Sequence, residues 1–462
     1  MSDTLMISVS GMRGHVGTDL TPELVARHAA ALGAWVRSDT RSGTDGAPRP
    51  SVVLGRDSRT SGPMFARAAS AGLMSVGVDV VDLGVVPTPT VQMAVEHHGA
   101  GAGLILTASH NPIEWNALKF VGPDGIFLDA GAGERVRALA LEGPPRTGWD
   151  GLGEVREDPV AITRHLDAVL ALPMIDVTAI RRRCFHVALD CVRGAGAVAM
   201  LPLLERLGCR VSGINLEPDG RFPRAPEPVP ENLGELGRLV RDRGADLGLA
   251  VDPDVDRLAV VDETGRAIGE DYTLAFAVRA VLDERRNDAK SPVVVVNLST
   301  SLVVDDAASR AGATLVRAPV GEANVARAIR DQGAIIGGEG NGGVMLPALH
   351  IGRDAPLGVA LILHLLATSG VTVAELVGAS PRYTIVKAKG PRGPELGPLY
   401  DRLRRRFADA TADDRDGLRL SWADRWLHIR PSGTEPIVRL IAEAPTPSEA
   451  DSLVAAGREL LQ

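Results

Sequence analysis

Three stretches of this chain repeat one order of apolar and polar positions. Ser51 to Gly55 (SVVLG) is an unbroken apolar run that reads as a buried strand. A polar turn, RDSRTSG, follows, then a helical pattern from Pro63 to Val76 and a second β-rich run, VDVVDLG. From Phe185 the order returns as FHVALD, CVRGAG, AVAMLPLLERLG and CRVSGIN. From Val293 it returns again as VVVVNL, STS, LVVDDAASRAG and ATLVRAPVG. Continuous apolar strands alternating with helices imply parallel sheets covered on both faces, with functional loops beyond the strand C-terminal ends. The expected class is α/β: three related α/β domains with mixed, mostly parallel sheets.

After GPRGPELGP (390–398) the pattern changes. A helical stretch, YDRLRRRFADATA, leads to short runs, LRLSW and RWLHIR, a turn, PSGTEP, the run IVRLIAEA and a last helix from Pro447. This reads as a smaller C-terminal α+β domain. Boundaries are expected near 156, 263 and 380, giving domains 1–155, 156–262, 263–379 and 380–462.

Composition narrows the class. With 462 residues, 45% hydrophobic and 23% charged, the chain is ordinary for a soluble globular protein. A net charge of −8 offers no broad basic surface for nucleic acid. The stretch MSDTLMISVSGMRG lacks a basic segment followed by a long apolar one, and no apolar run reaches bilayer length. A cytoplasmic protein without a membrane partner is expected. Cys184, Cys191 and Cys209 fit no zinc spacing and suggest reduced thiols. Of 50 basic residues only Lys119, Lys290, Lys387 and Lys389 are lysines.

That bias draws attention to LILTASHNPIEWNALKF (104–120), where a buried strand ends by presenting Ser109 and His110, with Lys119 close behind. VDPDVDRLAVVDE (251–263) sets Asp252, Asp254 and Asp256 at alternate positions, with no lysine beside them in the sequence. Clustered carboxylates repel unless a cation joins them, and all-oxygen donors suit Mg2+, Mn2+ or Ca2+. An EF-hand loop is excluded, because Arg257 stands where glycine makes its turn and the flanks read as strands. IRPSGTEPIVR (429–439) offers Arg430, Ser432, Gly433, Thr434 and Arg439 as a phosphate cradle. GGEGNGGVMLPALHIGRD (337–354) holds Glu339 and Asn341, suited to sugar hydroxyls, among glycines that let backbone approach a ligand. RGAGAVA (193–199) imitates a dinucleotide fingerprint, but its third glycine is alanine. There is no Walker A lysine, no G-x-S-x-G elbow and no aspartate–histidine pairing that would support a hydrolase triad.

Together SGMRG, TASHNP, DPDVDR, GGEGNGG and RPSGTEP, in that order, resemble the α-D-phosphohexomutase superfamily: phosphoglucomutases, phosphomannomutases and phosphoglucosamine mutases. The resemblance covers essentially the whole chain. It implies four domains around a central cleft and a phosphosugar substrate. It implies that Ser109 is carried as a phosphoserine, with Asp252, Asp254 and Asp256 holding Mg2+ against it. A hexose 1,6-bisphosphate is implied as intermediate and activator. Arg13 and Arg257 would sit near the serine phosphate, with His110 and Lys119 as candidates for proton transfer. Glu339 and Asn341 would read sugar hydroxyls, and Arg430 to Thr434 with Arg439 would grip the distal phosphate. Many bacterial members show G-E-x-S-G-H where this chain has Asn341 and Gly343. The N-G-G form is more similar to archaeal-type phosphoglucosamine and phosphomannose mutases, which favours glucosamine phosphate. A phosphosugar sensor without activity and a metal-dependent sugar phosphatase are the competing classes, and the protein would be a monomer or a homodimer.

Overall fold

The computed structural model describes residues 5–8, 11–39, 49–284, 291–391, 395–432 and 437–461. Their strands form four sheets. The first holds β1 (Met6–Ser8), β2 (Gly11–His15), β3 (Ser51–Arg56), β4 (Asp79–Val85), β5 (Ala102–Leu106), β6 (Trp115–Val121) and β7 (Val155–Glu157), in the order β1-β2-β6-β5-β3-β4-β7. The second holds β8 (His186–Asp190), β9 (Arg210–Ile214), β10 (Leu247–Val251) and β11 (Leu258–Val261), in the order β11-β10-β8-β9. The third holds β12 (Val293–Asn297), β13 (Thr314–Ala318), β14 (Ile336–Glu339) and β15 (Gly343–Met345), in the order β13-β12-β14-β15.

These sheets are mixed, as expected. β5, β3, β4 and β7 run parallel, as do β10, β8 and β9, and β13, β12 and β14. β6, β11 and β15 are antiparallel to the strand before them, and in the first sheet β2 and β1 continue that antiparallel side. The cause is the same three times. The chain leaves the C-terminal end of a parallel strand through a short loop, 107–114, 252–257 or 340–342, and returns at once. So short a connection reaches only an antiparallel neighbour, because a parallel crossover needs a dozen residues or more. Each return loop is one of the stretches marked for chemistry.

The fourth sheet is wholly antiparallel: β16 (Thr384–Pro391), β17 (Thr411–Asp413), β18 (Leu418–Ser421), β19 (Trp426–Pro431) and β20 (Ile437–Ala444), in the order β16-β20-β19-β18-β17. The helical stretch at its start ends at Arg406, short of the pattern. Phe407 leaves the helix to meet the Trp422 ring, centroids 5.5 Å apart, and the chain becomes β17. At the first boundary β7, whose three residues are all exposed, carries the first sheet to Glu157.

One continuous apolar core runs from Leu166 to Val377 and takes in both the second and third sheets. Helix Ala355–Ser369 lies at its centre. Every residue from Ala355 to Leu366 is buried, so the helix must be covered all round. Helix Glu270–Asp283 covers one side, and helices of the second unit cover another. Helix Thr88–His98 pins the first unit to this body. Thr90 Oγ1 lies 2.9 Å from His165 Nδ1, and Gln92 Nε2 donates to Glu322 Oε1 at 3.2 Å. His165 Nε2 and His350 Nε2 then meet one oxygen of Asp354, at 2.7 and 3.0 Å. Among the described residues no helix is long and apolar enough to cross a membrane.

Candidate active site

The loop after β5 is built around a buried arginine. Arg59, in the polar turn after β3, turns both amino groups of its guanidinium on it. Nε donates to Asp57 Oδ2 at 3.0 Å, NH1 to the carbonyls of Pro112 and Trp115 at 2.6 and 2.9 Å, and NH2 to those of Ser109 and Asn111 at 2.7 Å each. Thr107 Oγ1 donates to Asp57 Oδ2 and accepts from the Ser109 amide. This frame holds Ser109 at φ +49°, a left-handed conformation unusual for serine. Val255, in the loop after β10, sits at φ +62°, where a β-branched residue is strained further. Such conformations cost about 1–3 kcal/mol each and persist where surrounding structure enforces them.

The two strained loops face each other. Ser109 Oγ donates to Asp252 Oδ2 at 3.1 Å and lies 3.3 Å from His110 Nδ1. Asp252, Asp254 and Asp256 are all fully buried, and one oxygen of each falls within 4.8 Å of the others. Thr88 Oγ1 and Lys119 Nζ donate to Asp254 Oδ2 at 2.9 and 2.8 Å. Burial opposes the charge of Asp254, but that ammonium and hydroxyl hold its carboxyl well below the usual range. Burial and the charges of Asp256 and Asp254 push Asp252 well above it. The triad is thus not without a lysine, as its sequence neighbourhood suggested. Lys119 arrives from β6, also 4.0 Å from Asp256, and Arg257 Nε lies 3.7 Å from Asp256 Oδ1.

Asp254 Oδ1 and Asp256 Oδ1 are buried and take no hydrogen bond among the described residues. Two orphaned carboxylate oxygens beside a serine hydroxyl, with oxygen donors only, fit a hard divalent cation. Arg13 donates to Asn111 Oδ1 at 2.6 Å, and Arg257 reaches Glu227 at 3.1 Å. Burial, with the Arg257 and Arg13 guanidiniums beside it, lowers the His110 pKa well below its ordinary value, although a third of the side chain remains exposed. The imidazole is therefore neutral near pH 7.

The residues marked for sugar lie differently from expectation. Glu339 is 3% exposed. Its carboxylate accepts from Asn297 Nδ2 at 2.9 Å, the Gly321 amide at 3.0 Å and Arg353 NH1 at 3.0 Å. It is committed to protein partners here. Asn341 closes its own turn, its Oδ1 accepting from the Gly343 amide at 3.2 Å. Gly342, at φ +87°, lets this loop rest on β11, where a Cβ would fall 2.2 Å from the Leu258 carbonyl. Arg430 and Arg439 stand opposite each other on β19 and β20, and Ser432 is buried beyond them. Arg430 Nε donates to Asp416 Oδ2 at 2.9 Å, an oxygen that also accepts from the Val320 amide at 3.1 Å. Gly433 and Thr434 lie outside the described residues.

Sequence reasoning missed Asp57, Arg59, Thr88 and Arg353. A polar turn holding Asp57 and Arg59 directly after a buried strand was a usable signal for the first two. The dinucleotide-like RGAGAVA stretch has another use. Gly194 packs beneath the aspartate loop, where a Cβ would fall 2.6 Å from Pro253 Cα, and the Ala195 amide donates to the Pro253 carbonyl at 2.8 Å.

Comparison with known proteins agrees along the chain. The models for phosphoglucomutase/phosphomannomutase α/β/α domains I, II and III match residues 5–144, 163–265 and 269–383, and that for the C-terminal domain matches 400–460. A phosphoglucomutase/phosphomannomutase of Thermococcus kodakarensis is 37% identical over 98% of this chain and 97% of its own. A probable phosphoglucosamine mutase of Methanopyrus kandleri is 38% identical over 96% and 95%. The crystal structure of a phosphoglucomutase/phosphomannomutase family protein from Burkholderia thailandensis superimposes with a TM-score of 0.84 at 25% identity, covering 99% of this chain and 98% of that one. Four sheets, three return loops and a full-length match leave one conclusion: the chain belongs to the phosphoglucomutase/phosphomannomutase family of phosphohexomutases.

Proposed function

We propose that this mutase interconverts hexose 6-phosphate and hexose 1-phosphate, with glucosamine phosphate its main substrate, through a phosphoserine at Ser109. The observation that carries the reading is the Ser109 hydroxyl 3.1 Å from Asp252, beside the two orphaned oxygens of Asp254 and Asp256. A sugar hydroxyl attacks the phosphorus of phosphoserine. The serine O–P bond breaks, and a hexose 1,6-bisphosphate forms. The intermediate turns over, and its other phosphate returns to Ser109. The same bisphosphate, added from outside, would charge an unphosphorylated enzyme. Mg2+ held by Asp252, Asp254, Asp256 and the serine phosphate would neutralise charge on the transferring group. Arg13 and Arg257 orient that group, while Glu339, held by Arg353, and Asn341 read the sugar.

The printed name of the Methanopyrus relative supports glucosamine phosphate, and that of the Thermococcus relative keeps glucose and mannose phosphates as a second reading. Coupled assays with glucosamine 6-phosphate, mannose 1-phosphate and glucose 1-phosphate test the choice. The highest kcat/KM should fall on glucosamine 6-phosphate. Phosphate release without isomer formation would turn the reading to a phosphatase.

Lys119 is the proposed proton carrier for the sugar hydroxyl. It is a rare lysine in an arginine-rich chain, 14% exposed, on the strand that faces Asp254. Arginine keeps the charge but cannot give up its proton at working pH. Lys119→Arg should retain substrate binding and lose on the order of 10²-fold in kcat. Turnover within a few-fold of the parent would leave Lys119 only an ion-pair partner, with neutral His110 the next candidate.

Arg430 is proposed to bind the phosphate that is not reacting. Losing a charge-assisted contact costs about 1.5–3 kcal/mol, roughly ten- to a hundredfold. Arg430→Ala should raise KM by about that factor. Unchanged kinetics would move the clamp elsewhere.

A further inference from the structure

Arg353 stands near the end of the stretch 337–354, in which the sequence marked only Glu339 and Asn341 for a role. Its guanidinium is buried and divides itself among three carboxylates. NH2 donates to Asp256 Oδ2 at 2.6 Å, NH1 to Glu339 Oε2 at 3.0 Å and Nε to Glu322 Oε2 at 3.0 Å. These acids stand on three separate segments: the aspartate loop, the end of β14 and the first turn of helix Glu322–Gln332. Glu322 also accepts from Gln92 of the first unit. The other oxygen of the same carboxylate, Asp256 Oδ1, is buried and takes no hydrogen bond among the described residues, with Arg257 Nε 3.7 Å away. A planar guanidinium fixes direction as well as charge, whereas an ammonium is a point charge with rotating donors.

We propose that Arg353 is a positioning residue for the mutase reaction: it orients the Asp256 carboxylate so that Oδ1 is left for the divalent cation, and ties Glu339 of the sugar loop to the same plane. The assignment rests on the reading that the three aspartates hold a cation. Groups that orient metal-bound carboxylates typically govern about 10–100-fold in metal affinity or activity. Because one guanidinium serves Asp256 and Glu339 together, a shift in either loop is felt by the other.

Mn2+, titrated into metal-free protein and followed by electron paramagnetic resonance, provides the test. Thermal unfolding and kcat are measured on the same samples. Arg353→Met should lose both stability and Mn2+ affinity. Arg353→Lys should recover most of the stability, since the charge returns, yet bind Mn2+ about tenfold or more weakly, with kcat reduced by about tenfold or more at saturating cation. A lysine variant whose Mn2+ affinity and kcat both stay within about threefold of the parent overturns the assignment. If neither variant folds, Glu322→Gln loosens the fork without touching a cation ligand. About threefold or greater loss of Mn2+ affinity supports the assignment, and unchanged affinity overturns it. Parent binding that Asp252→Asn abolishes keeps the cation reading whatever Arg353 does. A parent that binds no Mn2+ ends both.

Discussion

Ser109→Ala is expected to abolish mutase turnover, a loss on the order of 10³-fold or more, as removal of a group that forms the covalent intermediate should produce. The fold should survive, because the loop is held by backbone groups. The Ser109 amide donates to Thr107 and its carbonyl accepts from Arg59, and alanine keeps both. Thermal unfolding should therefore change little while activity vanishes. After incubation with a hexose 1,6-bisphosphate, mass spectrometry should find a phosphoryl group on the Ser109 peptide of the parent. The alanine variant should carry none there. Full mutase activity in Ser109→Ala would remove the phosphoserine mechanism altogether.

Chelation should be equally severe for turnover and mild for structure. Three buried carboxylates without counter-charge would repel one another strongly enough to open the loop. Here Lys119 pairs with Asp254, Arg353 pairs with Asp256, and Arg257 lies within 4 Å of both Asp252 and Asp256. The loop therefore keeps its shape without a divalent ion. What it lacks then is a hydrogen bond, among the described residues, to Asp254 Oδ1 and Asp256 Oδ1, and charge neutralisation for a transferring phosphoryl group. EDTA should bring activity to background, Mg2+ should restore it, and the unfolding temperature should move little through the cycle. Unchanged rates after rigorous chelation would end the cation assignment.

The parts of this site written within one short segment were legible beforehand. Asp252, Asp254 and Asp256 share a loop, and Ser109 and His110 are adjacent at a strand end. Apart from what the family resemblance implied, contacts made across long stretches of chain were not. Arg59 reaches Ser109 over 50 residues, Arg353 reaches Asp256 over 97, and Lys119 reaches Asp254 over 135. Nothing local marks which arginine of an arginine-rich chain will be buried. The fold shows the same division. Strands such as VVVVN declared themselves by an unbroken apolar run, while β7, with three exposed residues, carried no signal. Mixed sheets were expected, but which strands return antiparallel was not, because hydrophobic pattern reports burial and not strand direction. Shortness of loops 107–114, 252–257 and 340–342 was the usable clue.

The common interior of the second and third sheets has a consequence for engineering by exchange of parts. Four matched domains invite the transplanting of one from a relative to change sugar preference. Helix Ala355–Ser369 belongs by chain order to the third, yet it fills the interior of the second as well. A graft cut between them would join two half-interiors shaped for different partners, and mismatched core packing costs stability before any specificity can be read. The exchangeable piece is the pair, taken together from Leu166 to Val377, or else single loops set onto the existing frame.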